Sequence, residues 1–381
     1  MKKILYLHAG AEMYGADIVL YELITKLDKD KYQPTVLLPN YGPLVKKLKE
    51  SNIEVDIMNY PILRRKYFTP KGIISYFINY IKYSRRIVKY IKDNGIDIVH
   101  INTSAVLEGR YIKKHSMAKI VWHIHEILVS PKIVAKIINK TIAKSADKII
   151  CVSDAVKNHF KEMTGREDVQ VIYNGVDNSK FSPNAKTDYL KEEFGIKDEN
   201  IVIGMIGRLN AWKGQKDLLN ALELVFKENN QAKGLFVGGV FEGQEWRIDD
   251  FKSFIKEKNC EDRVIFTDFR NDSPSIHNLI DIFVLPSTNP DPLPTVVLEA
   301  MATAKPIVGY RHGGICEMVK DRENGLLVEV NNYEELAKAI LKLVNDEKLR
   351  REYGEKSSIR QRKMFSLSSY ISNIENVYDI I

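Results

Sequence analysis

Short, almost uninterrupted apolar runs alternate along the first half of the chain with segments whose apolar residues recur every three or four positions. The runs occupy 3–8, 33–38, 54–58, 97–101, 120–125, 148–152 and 169–173. Runs this apolar predict strands covered on both faces, as in parallel sheets. Helical periodicity fills 16–27, 43–51, 71–93, 131–145 and 154–163. Repeated β-α alternation of this kind predicts a doubly wound parallel sheet. A turn-rich stretch, Tyr173-Asn174-Gly175-Val176-Asp177-Asn178-Ser179, then reads as a linker. Beyond it the same grammar restarts, with strands at 201–207, 234–237, 264–267, 282–285, 306–308 and 326–328. Helices are expected near 215–229, 244–258, 295–303, 333–345, 347–363 and 367–378. The pattern predicts two α/β domains, 1–178 and 179–363, with the last helix, 364–381, packing back on the first. Ligands of such sheets bind at the carboxyl ends of the strands, and the cleft between two such domains is the default site.

At 381 residues the chain is long enough for two full cores without disulfide or metal staples. Cys151, Cys260 and Cys316 form no C-x-x-C pair, which argues against a disulfide framework or zinc knuckle and for a reducing compartment. The apolar run after Lys3 stops at His8, too short for a signal peptide, and no window has the composition of a spanning helix. The net charge of +7 is uneven: residues 1–178 carry +11 and residues 179–381 carry −4. Between Ile57 and Lys92 stand nine basic residues, no acid, and interleaved Tyr60, Tyr67, Phe68, Tyr76, Phe77, Tyr80, Tyr83 and Tyr90. Three readings fit this stretch: a solvated helix face with aromatics packed inward, an anionic membrane surface, or nucleic acid.

The G-x-G-x-x-G fingerprint, the P-loop, G-x-S-x-G and H-E-x-x-H are all absent. The single Asp-x-Asp, Asp28-Lys29-Asp30, sits in a helix-to-strand loop and reads as a turn. Three anion-binding features stand in the second half. In Gly207-Arg208-Leu209-Asn210-Ala211-Trp212-Lys213-Gly214, Arg208 falls at a strand's carboxyl end and Lys213 beside the next helix N-terminus, which suits a phosphate or diphosphate. In the segment from Ser287 to Ala302, prolines stiffen a loop before a helix that starts near Thr295. Glu299, one turn in, leans toward the helix start, and Asp291 flanks the same spot from the loop. An acid on each side of a dipole-bound anion suits a nucleoside diphosphate sugar. Third, Gly313-Gly314-Ile315-Cys316-Glu317 gives a Gly-Gly turn opening a helix, with Glu317 as a cap or ligand contact.

These segments resemble the retaining nucleotide-sugar glycosyltransferases of the GT-B fold, specifically glycosyltransferase family 4. The family's acid-x7-Glu pattern stands as Asp291-Pro292-Leu293-Pro294 followed by Glu299-Ala300-Met301-Ala302, and its G-R-L-x-x-x-K-G as Gly207-Arg208-Leu209 to Lys213-Gly214. Asn324-Gly325-Leu326-Leu327-Val328 fits the strand that follows. In the first half, Tyr14-Gly15-Ala16-Asp17 resembles the glycine loop and Trp122-His123-Ile124-His125-Glu126 the histidine loop. Two departures are visible: Asp291-Pro292 replaces the usual Glu-Gly, and Tyr14 stands where a first glycine is common.

The resemblance implies a GT-B fold, two Rossmann-like doubly wound domains facing across a cleft. It implies transfer of a hexose from a nucleoside diphosphate sugar with retention, in capsular, exopolysaccharide or lipopolysaccharide biosynthesis. Arg208, Lys213, Asp291 and His125 are then the expected catalytic residues. Gly15, Arg208, Lys213, Asp291, Leu293, Pro294, Thr295, Val296 and Glu299 are the expected donor-binding residues, with no cofactor and no metal. His125 is favoured over His123, and His100 is read as structural. The implied partners are a lipid-linked glycan and, through 57–92, an anionic membrane, not nucleic acid, which places the protein at the cytoplasmic face of the cell membrane. A nucleotide-sugar 2-epimerase and a non-catalytic lipid- or nucleic-acid-binding protein are the rival readings.

Overall fold

The computed structural model describes all 381 residues, which form two compact units: Met1–Gly175 with Leu367–Ile381, and Val176–Ser366. Unit 1 runs β1 (Lys2–Leu7), α1 (Gly15–Lys26), β2 (Tyr32–Leu38), α2 (Pro43–Glu50), β3 (Glu54–Ile57), α3 (Pro70–Asn94), β4 (Ile98–Ile101), α4 (Gly109–His115), β5 (Lys119–Ile124), α5 (Lys132–Ser145), β6 (Lys148–Cys151), α6 (Asp154–Thr164) and β7 (Val169–Val171). The seven strands are parallel in the order β3-β2-β1-β4-β5-β6-β7. Right-handed crossovers put α1 and α2 on one face and α3 to α6 on the other. The longest helix, α3, shows why these boundaries fall where they do. Thr69 Oγ1 accepts from the Gly72 N–H at 3.1 Å, Pro70 occupies the first turn, and Gly95 ends the helix at φ 63°.

Unit 2 runs α7 (Asp188–Phe194), β8 (Ile201–Ile206), α8 (Gln215–Glu228), β9 (Ala232–Val237), α9 (Trp246–Glu257), β10 (Val264–Thr267), α10 (Ser273–Leu279), β11 (Ile282–Leu285), α11 (Thr295–Ala302), β12 (Ile307–Tyr310), α12 (Ile315–Met318), β13 (Gly325–Val328), α13 (Tyr333–Val344) and α14 (Glu347–Met364). Its six strands are parallel in the order β10-β9-β8-β11-β12-β13. The final helix, α15 (Leu367–Asp379), belongs to unit 1. There Tyr370, Ile374, Val377 and Tyr378 join the core that Ile4, Tyr6, Leu20, Leu23, Val36 and Leu48 form on the α1/α2 face.

The β-α alternation follows the apolar runs closely. Three seven-residue helices, α4, α7 and α10, escaped the periodicity because each is too short to repeat an apolar stripe. The start of α4 also looks unlike a helix in sequence. Gly109 is there because an added Cβ would lie 2.4 Å from the Ile101 side chain and 2.6 Å from Trp122. No helix is long and apolar enough to cross a membrane.

The α15 side of the sheet in unit 1 buries an unusual polar group. Tyr6 pairs with His100 across β1 and β4, and the Tyr378 hydroxyl bridges the Tyr6 hydroxyl at 2.8 Å and His100 Nδ1 at 2.6 Å. His123 has neither ring nitrogen bonded, and the Tyr370 hydroxyl is likewise without a partner. Burial pushes His100 down to about 3 and holds His123 and His125 well below the ordinary histidine range, assisted by neighbouring histidines. All three are therefore neutral in the fold at pH 7, whereas the unfolded chain protonates them below about pH 6.5.

The sign follows: stability is present above pH 6.5 and is lost as pH falls from there toward 3, because the unfolded state binds more protons. Each of the three histidines adds about 1.4 kcal/mol per pH unit to that slope. In urea unfolding between pH 7.5 and 5, His123→Leu is expected to reduce the slope by about that amount while costing little or nothing at pH 7.5. A large loss at pH 7.5 with an unchanged slope would show that His123 is hydrogen-bonded after all.

Candidate active site

The strand order of unit 2 reverses beside β8, whose neighbours are β9 and β11. Loops leaving such a switch point diverge and open a crevice at the carboxyl ends. The loop after β8 carries Arg208 and Lys213, and the loop after β11 carries Asp291. Lys213 Nζ and a carboxylate oxygen of Asp291, Oδ2, form an ion pair, with side chains only 15% and 13% exposed. The β8 loop is held by Asn210, whose Oδ1 accepts from the N–H groups of Trp212 at 3.0 Å and Lys213 at 2.8 Å. The Thr288 N–H donates to the Trp212 carbonyl at 2.7 Å and ties the two loops together. Gly214, at φ 86°, lies so close to the Pro286 carbonyl that an added Cβ would sit 1.9 Å from its oxygen.

Arg208 is not a bare cation: its guanidinium lies over the Phe241 ring, 3.5 Å from the centroid. Gln215, at the start of α8, donates from Nε2 to the Arg208 carbonyl at 3.0 Å and keeps a buried Oε1 without a partner. α11 begins after Pro294 with no capping side chain, and the Thr295 and Val296 N–H groups have no partner in the chain. That end carries the positive pole of the helix. Leu293 and Pro294, expected to touch the donor, are buried, so their side chains shape the loop from beneath. Thr295 and Val296 are half-buried.

One carboxylate oxygen of Glu299 is held from α10, and the other is left open. Oε2 accepts from His277 Nε2 at 2.9 Å and Ser273 Oγ at 3.4 Å, while Oε1 has no partner. His277 is stacked on Phe283, centroids 5.5 Å apart. The Gly313-Gly314 turn makes its close approach to the Asp291 loop itself. Added Cβ atoms would lie 2.6 Å from the Asp291 carbonyl oxygen and 2.1 Å from that of Pro292, and the Gly314 N–H donates to the Asp291 carbonyl at 2.8 Å. These glycines brace the loop that presents Asp291.

The corresponding switch point in unit 1 lies beside β1, between β2 and β4. β5 ends at Ile124, so His125 leaves the strand while its ring packs 4.2 Å from that of His123. Glu126 clamps the turn: Oε2 accepts from the His125 N–H at 3.2 Å and from Ser104 N and Oγ at 3.0 and 2.9 Å, and Oε1 from Thr103 Oγ1 at 2.6 Å. His125 Nε2 meets Asn102 Oδ1 at 2.9 Å. Gly15, expected to touch the donor, is the exposed first residue of α1 at the carboxyl end of β1.

The structure therefore gathers Lys213, Asp291 and the start of α11 in unit 2, and places His125 and Gly15 in unit 1. Sequence reasoning missed Phe241, His277 and Ser273 in unit 2, and His8, Asp17 and Asn102 in unit 1. Phe241, His277 and Ser273 carry no local signal, since they reach Arg208 and Glu299 only through the fold. Asp17 stood inside a recognised motif, and His8 and Asn102 each follow directly on an apolar run.

Two doubly wound parallel sheets, each with its own switch point, define the architecture, and similarity to known proteins gives the class. Residues 13–180 match the Glycosyltransferase Family 4 profile and residues 186–360 match Glycosyl transferases group 1. An Escherichia coli UDP-Gal:alpha-D-GlcNAc-diphosphoundecaprenol alpha-1,3-galactosyltransferase is 28% identical over 88% of each chain. The putative glycosyltransferase YtcC of Bacillus subtilis is 24% identical over 78% of this chain and 76% of its own. Among solved structures, Anabaena HepE in complex with UDP and glucose superposes with a TM-score of 0.86 at 25% identity, covering both chains fully. The chain belongs to the GT-B glycosyltransferases, with a family 4 domain followed by a group 1 domain.

Lys213→Met and Asp291→Asn each leave a largely buried charge unpaired and are expected to lower the unfolding free energy of the ligand-free protein by about 1–3 kcal/mol. The double variant should recover at least half of the summed loss in denaturant titrations. Strictly additive losses would show that the two side chains do not act as a unit.

Proposed function

We propose that this glycosyltransferase moves a hexose from a UDP-sugar to a hydroxyl of a lipid-linked glycan, with retention, during surface polysaccharide biosynthesis. The observation that carries the reading is the meeting of Lys213 and Asp291 at the switch point of unit 2. The E. coli relative, named for UDP-Gal and a diphosphoundecaprenol-linked sugar, supports the donor and acceptor classes. The Anabaena structure, holding UDP and glucose, supports the donor.

In this reaction the bond from C1 of the sugar to the β-phosphate oxygen breaks, and negative charge grows on the diphosphate. Lys213, Arg208 and the free N–H groups of Thr295 and Val296 receive that charge. Asp291 Oδ1, unused by the ion pair, accepts from a sugar hydroxyl, and Glu299 Oε1 from the ribose while His277 and Ser273 hold its other oxygen. The acceptor oxygen attacks C1 from the face the phosphate leaves, and its proton passes to the departing phosphate oxygen. Configuration is retained without an enzymic base. The scheme draws its positive charge from Arg208 and Lys213 and uses no metal ion.

A lipid-linked acceptor gives the basic face of unit 1 a use. α3, α4 and α5 adjoin one another and bear six, three and four Lys or Arg residues, against Asp93 as the one acid. The tyrosines Tyr67, Tyr76 and Tyr80 pack partly inward; the side chains that project are Ile73, Ile74, Phe77 and Ile78 on α3, 57–64% exposed, and Ile133 and Ile137 on α5. Lysines around exposed aliphatic residues suit an anionic bilayer, with the headgroups binding the charges and the apolar tips entering the interface. On this reading the protein works at the cytoplasmic face of the cell membrane.

In a thermal-shift series with EDTA present, UDP and UDP-hexoses are expected to stabilise the protein, and Lys213→Ala to abolish the effect. In a transfer assay with UDP-galactose or UDP-glucose and a diphosphate-lipid-linked N-acetylglucosamine, Arg208→Ala should lower kcat about 10²–10³-fold. The anomeric coupling of the product should match that of the donor; an inverted product would remove the front-face mechanism. In vesicle sedimentation, binding is expected with phosphatidylglycerol present and lost with phosphatidylcholine alone. Each of Ile74→Glu and Phe77→Glu should weaken it at least about tenfold, given 1.5–3 kcal/mol per buried apolar side chain.

A further inference from the structure

Four side chains of unit 1 form an unbroken chain of hydrogen bonds that ends on His125. Asp17 Oδ1 meets His8 Nε2 at 2.6 Å, His8 Nδ1 meets Asn102 Nδ2 at 3.3 Å, and Asn102 Oδ1 meets His125 Nε2 at 2.9 Å. They come from four places: the end of β1, the first turn of α1, the end of β4 and the end of β5. Asp17, His8 and Asn102 are 5%, 3% and 0% exposed, so water does not compete for these bonds. The second carboxylate oxygen of Asp17 accepts from the Tyr14 N–H at 2.7 Å, which fixes the acid on the first turn of α1.

Each link dictates the next. A carboxylate only accepts, so the proton of a neutral His8 ring lies on Nε2. His8 Nδ1 is then an acceptor, and only the amide NH₂ of Asn102 can meet it. That choice turns Asn102 Oδ1 toward His125, and an oxygen acceptor there requires the proton of His125 on Nε2. The lone pair of His125 is left on Nδ1, which has no partner in the chain, on a side chain that is partly exposed. The Glu126 clamp holds the backbone of the same residue from the other side. Reversing the amide of Asn102 places acceptor against acceptor at His8 Nδ1 unless that ring carries a second proton.

We infer that Asp17, His8 and Asn102 are positioning residues that hold His125 as its Nε2–H tautomer, with Nδ1 presented as a hydrogen-bond acceptor for a substrate hydroxyl. The hydroxyl contact rests on the proposed function; the tautomer does not. A lone pair at that point admits a hydroxyl, which can donate, and repels a phosphate oxygen, which cannot. The relay would thus select what approaches His125 without itself touching substrate. Sequence reading could name His125 but not the tautomer, because the three residues that set it are 117, 108 and 23 positions away.

The test is two-bond ¹H–¹⁵N correlation of the full chain carrying ¹⁵N-histidine at pH 7.5, with His125 assigned by its loss in His125→Gln. The expected spectrum has a pyrrole-like Nε2 and a pyridine-like Nδ1 for His125. Asn102→Leu, which cuts the relay, should give averaged tautomers; Asn102→Asp, acceptor-only toward both rings, should restore the Nε2–H form of His125, with His8 then carrying a second proton on Nδ1 to meet the other carboxylate oxygen. In the transfer assay above, Asn102→Leu should raise the KM for acceptor or donor about tenfold, the equivalent of one hydrogen bond, with Asn102→Asp within about threefold of the parent. An Nδ1–H tautomer or an imidazolium in the parent protein overturns the relay, whether or not the variants fold. The expected tautomer with the KM values for acceptor and donor both unchanged in Asn102→Leu overturns instead the assignment of His125 to a substrate hydroxyl.

Discussion

Everything chemical in this chain hangs on where two parallel sheets change direction. Parallel strands need crossover helices, and once the crossovers go both ways from a first strand, the loops on either side of it part. β1 and β8 are those strands. The gap beside β8 is bounded by the loops of Lys213 and Asp291, and the gap beside β1 by His8 and Asn102. Neither pair is near in sequence. Both are near in space because strand order requires it, and no other pair of neighbouring strands in either sheet leaves such an opening.

A crevice left open in this way has to be held open. Gly214 lets the start of α8 touch the end of β11, and Gly313 and Gly314 let the β12 loop lie on the backbone of Asp291 and Pro292. Side chains at those three positions would separate the loops and pull Lys213 away from Asp291. The ion pair itself has a consequence for selectivity in the proposed reaction. A bare anion arriving at Lys213 must compete with Asp291 and leaves that carboxylate unpaired in a poorly solvated place, which is costly. A diphosphate that brings a sugar hydroxyl supplies both an anion for the lysine and a donor for the aspartate. In the proposed reaction the pair would therefore favour a nucleotide sugar over free phosphate.

The sheets were legible in the sequence because buried parallel strands are written as continuous apolar runs, and no polar face interrupts the signal. The short helices α4, α7 and α10 were not, since seven residues hold two turns and no repeat. The candidate site was legible as placement, because loops with turn residues and charges follow the apolar runs: Arg208, Lys213, Asp291 and His125 all stand beyond the carboxyl ends of strands, as expected. What the sequence could not carry was pairing. Nothing in the residues says that Lys213 and Asp291 bind each other, that Arg208 stacks on Phe241, or that His277 occupies half of Glu299. Leu293 and Pro294 illustrate the converse. They lie inside a recognisable motif, and burial sets their side chains beneath the loop, which the residue order alone does not tell.

Histidine is used in three ways within one small region of unit 1, and the difference lies in the partners of the ring nitrogens. His100 is bonded through one ring nitrogen to Tyr378 and serves the packing of the terminal helix on the sheet. His123, two residues before His125, has no partner at either nitrogen and behaves as a filled apolar position with a latent charge. His125 alone emerges from the strand end, and it is the one whose ring is addressed by a directed chain of donors and acceptors. A ring that merely filled space would not need its tautomer specified by three other buried polar groups, each of which costs desolvation to place there. The cost is rational where one nitrogen must meet a hydroxyl, and that separates His125 from its neighbours more firmly than its position in a motif does.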